Sequence, residues 1–361
     1  MKKIILSAAL SLLMCAGLYA ADFIYTDATS LPVFGKACAE TYEPFSRLPG
    51  SLEGVSRPPV WSLGRNSAGL FVRFSSDSGV FGFKWTSTFR KDLDNMAAIG
   101  VRGLALYVLD GKEWVYVGSA RPNKKSADSE FKISCTKLKD SMHEYMLYLS
   151  LYDGVRSLQV GVPEGKKLEA PKVNSPRAEK PVLIYGTSIL QGASASHPGM
   201  AGTNQLSRRL DRVVVNLGFS GNALLDYEIA ELMASYPDPG AFVLDNLPNG
   251  TPDLTREKLE KFFMILRGAH PDVPVVFVEH PRYPRWRFDE AGRKQIDAKN
   301  EAMLEIYGKL KKAGQKRIYL VRGDKMLGGS NVGTIEGTHF TDIGFTGWVD
   351  AICPTLKKIC K

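Results

Sequence analysis

Val182-Leu183-Ile184-Tyr185-Gly186-Thr187-Ser188-Ile189 is the stretch on which the fold turns. Its first four residues are too few for a helix and show no polar alternation, so they read as a strand buried on both faces. Gly186 ends that strand and places Thr187 and Ser188 at its carboxyl end. The same phrase returns downstream at residues 213–217, 241–244, 275–278 and 318–321, short apolar runs rich in β-branched residues. Helical patterns fill the intervals at 200–210, 225–235, 254–269 and 289–313. Strand and helix in alternation predict a parallel sheet covered by helices on both faces. In open sheets of this kind ligands bind beyond the carboxyl ends of the strands.

Upstream the rhythm differs. Residues 69–74, 80–85, 104–109, 114–117, 145–151 and 158–162 are short apolar or alternating runs, and no helix-length periodic segment interrupts them. Asp110-Gly111 and Asp153-Gly154 separate such runs as tight hairpin turns do, which predicts an antiparallel β-sandwich. Between the two regions the composition shifts to Pro, Lys, Glu, Gly and Ser, punctuated by Pro171, Pro176 and Pro181. The expected organisation is therefore a sandwich over 22–165, a linker over 166–180 and an α/β unit over 181–361. No internal repeat competes with it.

Four strand-end segments carry residues suited to acyl-transfer chemistry. Ser188 sits at a strand-to-loop corner, where its hydroxyl and its own N–H can face one space. The second strand ends in Gly218-Phe219-Ser220-Gly221-Asn222, and a glycine there lets a backbone N–H approach a substrate oxygen; a βα turn needing positive φ explains it equally well. The third ends in Asp245-Asn246-Leu247-Pro248-Asn249-Gly250, where the Asn249 amide is a neutral donor for a developing oxyanion, although Asn-Gly is also ordinary turn chemistry. After the last strand, Glu336-Gly337-Thr338-His339 puts a carboxylate three residues before a histidine. Glu336 could hold the ring while His339 takes a serine proton. His280, just after the fourth strand, is the rival base.

Taken in order, Ser188, Gly221, Asn249 and His339 resemble the SGNH hydrolases, the esterase superfamily also called GDSL, with Gly186-Thr187-Ser188-Ile189 in place of Gly-Asp-Ser-Leu. Gly186 to Asn204, with Gln191-Gly192 and Pro198-Gly199-Met200, looks like a branch of that superfamily carrying an N-terminal β-sandwich. That branch has a Gly-x-Asp-Leu-Tyr signature, which Gly103-Leu104-Ala105-Leu106-Tyr107 resembles with Ala105 in place of the Asp. The resemblance implies a three-layer, flavodoxin-like α/β/α domain and no cofactor or metal. It also implies Ser188 as nucleophile, His339 oriented by Glu336 as base, and an oxyanion hole of Ser188, Gly221 and Asn249. Glu336 stands where the family usually has Asp. The expected activity is hydrolysis of short acyl esters, O-acetyl on carbohydrate first. The alternatives are a short-chain lipid or aryl acylhydrolase and, from another class, an inactive glycan-binding protein with Trp61, Trp85, Trp114 and Tyr116 as a sugar platform.

The rest of the sequence narrows the setting. The 361 residues are 44% hydrophobic and 24% charged, which excludes disordered, collagen-like and coiled-coil chains. Lys2 and Lys3 precede an apolar run and small residues to Ala20, the pattern of a signal peptide over 1–20, so export to the periplasm or beyond is expected. Met14 before Cys15 disfavours lipid attachment. Losing Lys2 and Lys3 lowers the net charge from +9 to +7. The basic residues form no stripe with aromatics, so nucleic acid is not an expected partner, and no later run is long enough to span a membrane. The expected partner is an acylated carbohydrate or small ester. Cys38, Cys135, Cys353 and Cys360 allow three disulfide connectivities or buried thiols, and the oligomeric state is left open.

Overall fold

The computed structural model describes residues 22–327 and 332–360. The expected leader, Cys15 included, lies outside the described residues. Strands Phe23–Asp27 (β1), Val33–Phe34 (β2), Phe71–Ser76 (β3), Val80–Ser87 (β4), Leu104–Asp110 (β5), Glu113–Ala120 (β6), Asp128–Ser134 (β7), His143–Tyr148 (β8), Val155–Pro163 (β9) and Leu168–Glu169 (β10) come first. They form two antiparallel sheets, one ordered β1-β9-β4-β7 and the other β10-β3-β8-β5-β6 with β2 beside β3. Two short helices, Pro58–Gly64 (α1) and Ala98–Arg102 (α2), lie in the connections.

Alternation along each strand gives the second sheet two buried faces. Val72, Phe74, Leu104, Leu106, Tyr145 and Leu147 meet Phe81, Phe83 and Val160 of the first sheet in the sandwich core. Phe71, Ala105, Tyr107, Met146 and Tyr148, from the same strands, turn the other way and pack on Val213 of the α/β unit. Ala105 is thus in an apolar interface, where a carboxylate without a partner would be costly.

Asp110-Gly111 makes the expected hairpin, with Asp110 opposite Glu113 and Gly111 at φ +60°. Asp153-Gly154 does not. It carries the chain from β8 in one sheet to β9 in the other. The Asp153 carboxylate instead accepts the backbone N–H groups of Phe89, Lys91 and Gly154, each at 2.8 Å, which ties down a neighbouring loop. The stretch read as a linker carries β10, paired with β3, and the start of the first parallel strand.

That strand is Arg177–Gly186 (β11), followed by Arg212–Gly218 (β12), Ala241–Asp245 (β13), Val275–Val278 (β14) and Ile318–Val321 (β15). The order β12-β11-β13-β14-β15 is parallel throughout, the flavodoxin-like arrangement. The helices are Ser188–Gln191 (α3), Gly202–Leu210 (α4), Tyr227–Ala234 (α5), Pro252–Ala269 (α6), Glu290–Lys312 (α7) and Asp342–Ile359 (α8). Val182, Ile184, Val243 and Val276 pack under Leu206 of α4 and Phe345, Trp348 and Ile352 of α8. Leu183, Tyr185, Phe242 and Phe277 pack under Ile229 of α5, Phe262 and Phe263 of α6 and Met303 of α7. Leu48, Val60 and Trp61, from the connection between β2 and β3, join that same layer. All four described cysteines are free thiols. No helix among the described residues is long and apolar enough to cross a membrane.

Candidate active site

At the carboxyl end of β11 the chain must turn sharply under β13. A side chain at Gly186 would place its Cβ 2.6 Å from the Asp245 carbonyl oxygen, so only glycine fits. Thr187 caps α3, its hydroxyl accepting the Ile189 N–H at 3.3 Å, and Ser188 is the first residue of that helix. The Ser188 side chain therefore stands at a helix N-terminus, above the sheet and 7% exposed.

His339 reaches the same point from the segment leading into α8. Phe340 is buried beside Phe345 and anchors that segment, and Thr341 caps α8 through the Gly344 N–H. Nε2 of His339 lies 2.9 Å from Ser188 Oγ. On the far side of the ring, Glu336 Oε1 sits 2.5 Å from Nδ1 and accepts the His339 backbone N–H at 3.0 Å. A carboxylate at Nδ1 fixes the proton there and leaves Nε2 to accept from the serine hydroxyl.

Gly221 adopts φ +68°, the positive-φ turn that glycine accommodates, and it borders the same space as Ser188. Asn249 Oδ1 accepts the Ala223 N–H at 3.2 Å, which assigns the amide orientation and leaves the NH₂ end free for the cavity. Ser188, Gly221, Asn249 and His339 all border one cavity of about 410 Å³. A nucleophile, an acceptor for its proton and three N–H groups around one space can together support attack on an ester carbonyl.

His280 borders the same cavity, but it is His339 whose Nε2 meets Ser188 Oγ. Nδ1 of His280 donates to the Pro281 carbonyl at 2.7 Å, and burial pushes its pKa down to about 4. Asp245 accepts the Trp348 indole N–H at 3.0 Å, and burial pushes its carboxyl up to about 7. The four sandwich aromatics form no common platform. Trp85 and Trp114 are buried, Trp61 packs edge-on against Tyr42, and Tyr116 stacks on His197.

Several residues at the site gave no signal in the sequence. Arg57, just before α1, holds Asp226 through Nε and Nη2 at 2.6 and 2.9 Å and Asn222 through its side chain and carbonyl at 3.0 and 2.8 Å. One guanidinium thereby braces the loop that carries Gly221. Arg47 lies beneath that loop, fully buried, donating to the carbonyls of Asn66, Asn216, Gly218 and Leu63 and stacking on Phe219. With no carboxylate beside it, burial pushes its pKa down to about 9. Gln191 accepts the Ser220 N–H at 3.1 Å and donates to Asn66 and Leu151, and Asn95 brings Nδ2 within 3.4 Å of His339 Nδ1. The N-terminal region thus supplies the supports of a site whose reactive groups all come from the α/β unit.

Residues 179–357 match the GDSL-like lipase/acylhydrolase family, and residues 23–168 match the N-terminal region of SGNH-hydrolase-type esterases. No curated protein matches the chain significantly. Among solved structures, a Bacteroides ovatus protein described as a GDSL-like lipase is 33% identical, with a TM-score of 0.88 over 94% of this chain and 98% of that one. A salicylyl-acyltransferase from a tetracycline biosynthetic pathway shares the fold at 18% identity and a TM-score of 0.72, over 91% of this chain and 95% of its own. A family two carbohydrate esterase from Cellvibrio japonicus does so at 12% identity and a TM-score of 0.59, over 94% and 98%.

Proposed function

This chain belongs to the GDSL-like lipase/acylhydrolase family, and from that premise we propose that it is an exported serine esterase removing short acyl groups, O-acetyl first, from carbohydrate. Ser188 Oγ attacks the ester carbonyl while His339 Nε2 takes its proton. Glu336 holds the ring and stabilises the imidazolium that forms. The negative charge arising on the carbonyl oxygen is met by the N–H groups of Ser188 and Gly221 and by the Asn249 amide. His339 returns the proton to the leaving alcohol, and water, activated by the same ring, then hydrolyses the acyl-enzyme. The observation that carries this reading is the continuous chain from Ser188 Oγ through His339 to Glu336, at 2.9 and 2.5 Å. A carbohydrate alcohol is supported by the polar cavity wall, in which Ser220, Gln295 and Thr338 accompany the groups already named, and by the expected leader over 1–20.

The test is hydrolysis of p-nitrophenyl acetate, followed by acetate release from a panel of acetylated polysaccharides. Wild-type protein should cleave the aryl ester, and Ser188→Ala should lose roughly 10³-fold or more in turnover while keeping its fold. Near wild-type turnover in the alanine variant overturns the nucleophile assignment. Aryl or lipid ester cleavage with no acetate release from any polysaccharide overturns the carbohydrate assignment.

A further inference from the structure

One wall of the cavity has a charge that the esterase chemistry does not use. Lys299 of α7 and Arg285 both border it, and among the described residues no carboxylate does. Lys299 is 7% exposed, and its ammonium donates to the Pro248 carbonyl at 3.0 Å, next to Asn249. Burial, with Arg285 beside it, holds the Lys299 pKa below the usual lysine range. Arg285 is exposed and lies 5.8 Å over the Tyr283 ring. Buried cations are normally paired with an anion because desolvating an unpaired charge is costly. Here the buried Lys299 has a carbonyl as its partner, and the exposed Arg285, over a ring face, stands beside it at the edge of a ligand cavity.

The segment that brings Arg285 to the cavity extends the pattern. Pro281-Arg282-Tyr283-Pro284-Arg285-Trp286-Arg287-Phe288 follows β14 after Glu279 and His280 and carries arginines interleaved with aromatics. Arg282 lies 4.7 Å over Trp286, which is fixed by its indole N–H to Asp297 at 3.0 Å. Phe288 is 87% exposed. An aromatic face beside guanidinium groups suits a sugar ring carrying negative charge, since the ring stacks and the anion pairs.

Resting on the esterase reading above, we propose that the substrate is an anionic saccharide ester whose carboxylate or sulfate is held by Lys299 and Arg285, close to Ser188. The anion completes a charge pairing that the protein leaves open. Saccharide esters lacking one bind with that pairing unmade.

The test compares kcat/KM for 4-acetoxybenzoate with that for its neutral isostere 4-acetoxybenzamide, with 4-acetoxybenzenesulfonate as the sulfate arm. Wild-type protein should favour an anionic ester by about tenfold or more, a preference that shrinks as salt is added. The sulfonate-to-benzoate ratio tells which anion the site suits. Arg285→Gln, at an exposed position that should not impair folding, should lower the preference at least threefold, and Lys299→Met should bring it near one. Binding of glucuronate and glucose to Ser188→Ala protein, measured by calorimetry, separates this proposal from the esterase reading. If no ester is cleaved but glucuronate binds more tightly than glucose, the anion site stands and the nucleophile assignment falls. If esters are cleaved without an anionic preference, or Arg285→Gln leaves the preference intact, the anion site is overturned.

Discussion

Glu336 reaches His339 with one methylene more than the aspartate usual at its position, and the structure shows where that length goes. A single oxygen meets both Nδ1 and the backbone N–H of His339, a geometry that a shorter side chain in the same backbone cannot reproduce. Glu336→Asp should therefore be slower than wild type, and Glu336→Gln slower still, by roughly 10²- to 10⁴-fold in turnover. Steady-state kinetics on p-nitrophenyl acetate checks both; equal turnover for Asp and Glu would mean that the backbone adjusts. If its amide meets the charge that develops only in the transition state, as proposed, Asn249→Ala should lower turnover by roughly 10²- to 10³-fold with little change in KM. A raised KM with unchanged turnover would make Asn249 a substrate-binding group instead. Ser188, Gly221, Asn249 and His339 were legible because each ends or follows a strand of one parallel sheet. His280 shared that signature, and only the geometry separates it: its Nδ1 is bonded to the adjacent carbonyl, while His339 Nε2 meets Ser188.

The parallel strands could be read residue by residue because strands buried on both faces are unbroken apolar runs. Edge strands gave a weaker signal. β1 and β7 escaped the reading, since β7 alternates exposed charged positions with few buried ones. Asp153-Gly154 misled for a different reason: aspartate favours turns by bonding backbone N–H groups, and here those belong partly to another loop. Arg47 and Arg57 were invisible because they precede any strand signal and act across the molecule. Arg57→Ala frees the loop between β12 and α5, so turnover should drop by about tenfold or more while KM changes less, and added guanidinium ion should restore part of it. A proportional loss of folded protein without any change in turnover would make Arg57 purely structural. Arg47→Met removes the guanidinium donor from four carbonyls and should destabilise the protein by on the order of 3 kcal/mol, measurable by denaturant titration.

Across the whole molecule, buried titratable groups pull stability in opposite directions with pH. His197 and His280 are held down to about 4, chiefly by burial. Between about pH 6.5 and 4 the unfolded chain takes up protons that these rings refuse, so stability falls as pH falls through that window. Asp245, held up to about 7, does the reverse: folded protein keeps a proton that the unfolded chain has lost, so stability falls as pH rises from the ordinary aspartate range toward 7. Asp245→Asn removes only the second effect. Relative to wild type it should gain stability from pH 4 to about 7 and level off above that, by a total of roughly 2–4 kcal/mol, as read by thermal or denaturant melts at each pH. A pH-independent difference would mean that Asp245 is ionised in the folded protein. The two-part architecture was legible in the change of sequence rhythm, but the dependence of the site on its N-terminal half was not, since Arg47, Arg57, Asn66 and Asn95 are brought to it only by the packed interface. The proposed hydrolysis requires a serine made nucleophilic by His339, and active-site labelling with a fluorophosphonate addresses that directly. Intact-mass and peptide analysis should find one phosphonyl group on Ser188 in wild-type protein and almost none in His339→Ala, whereas an unlabelled Ser188, or labelling equally fast without His339, would contradict it.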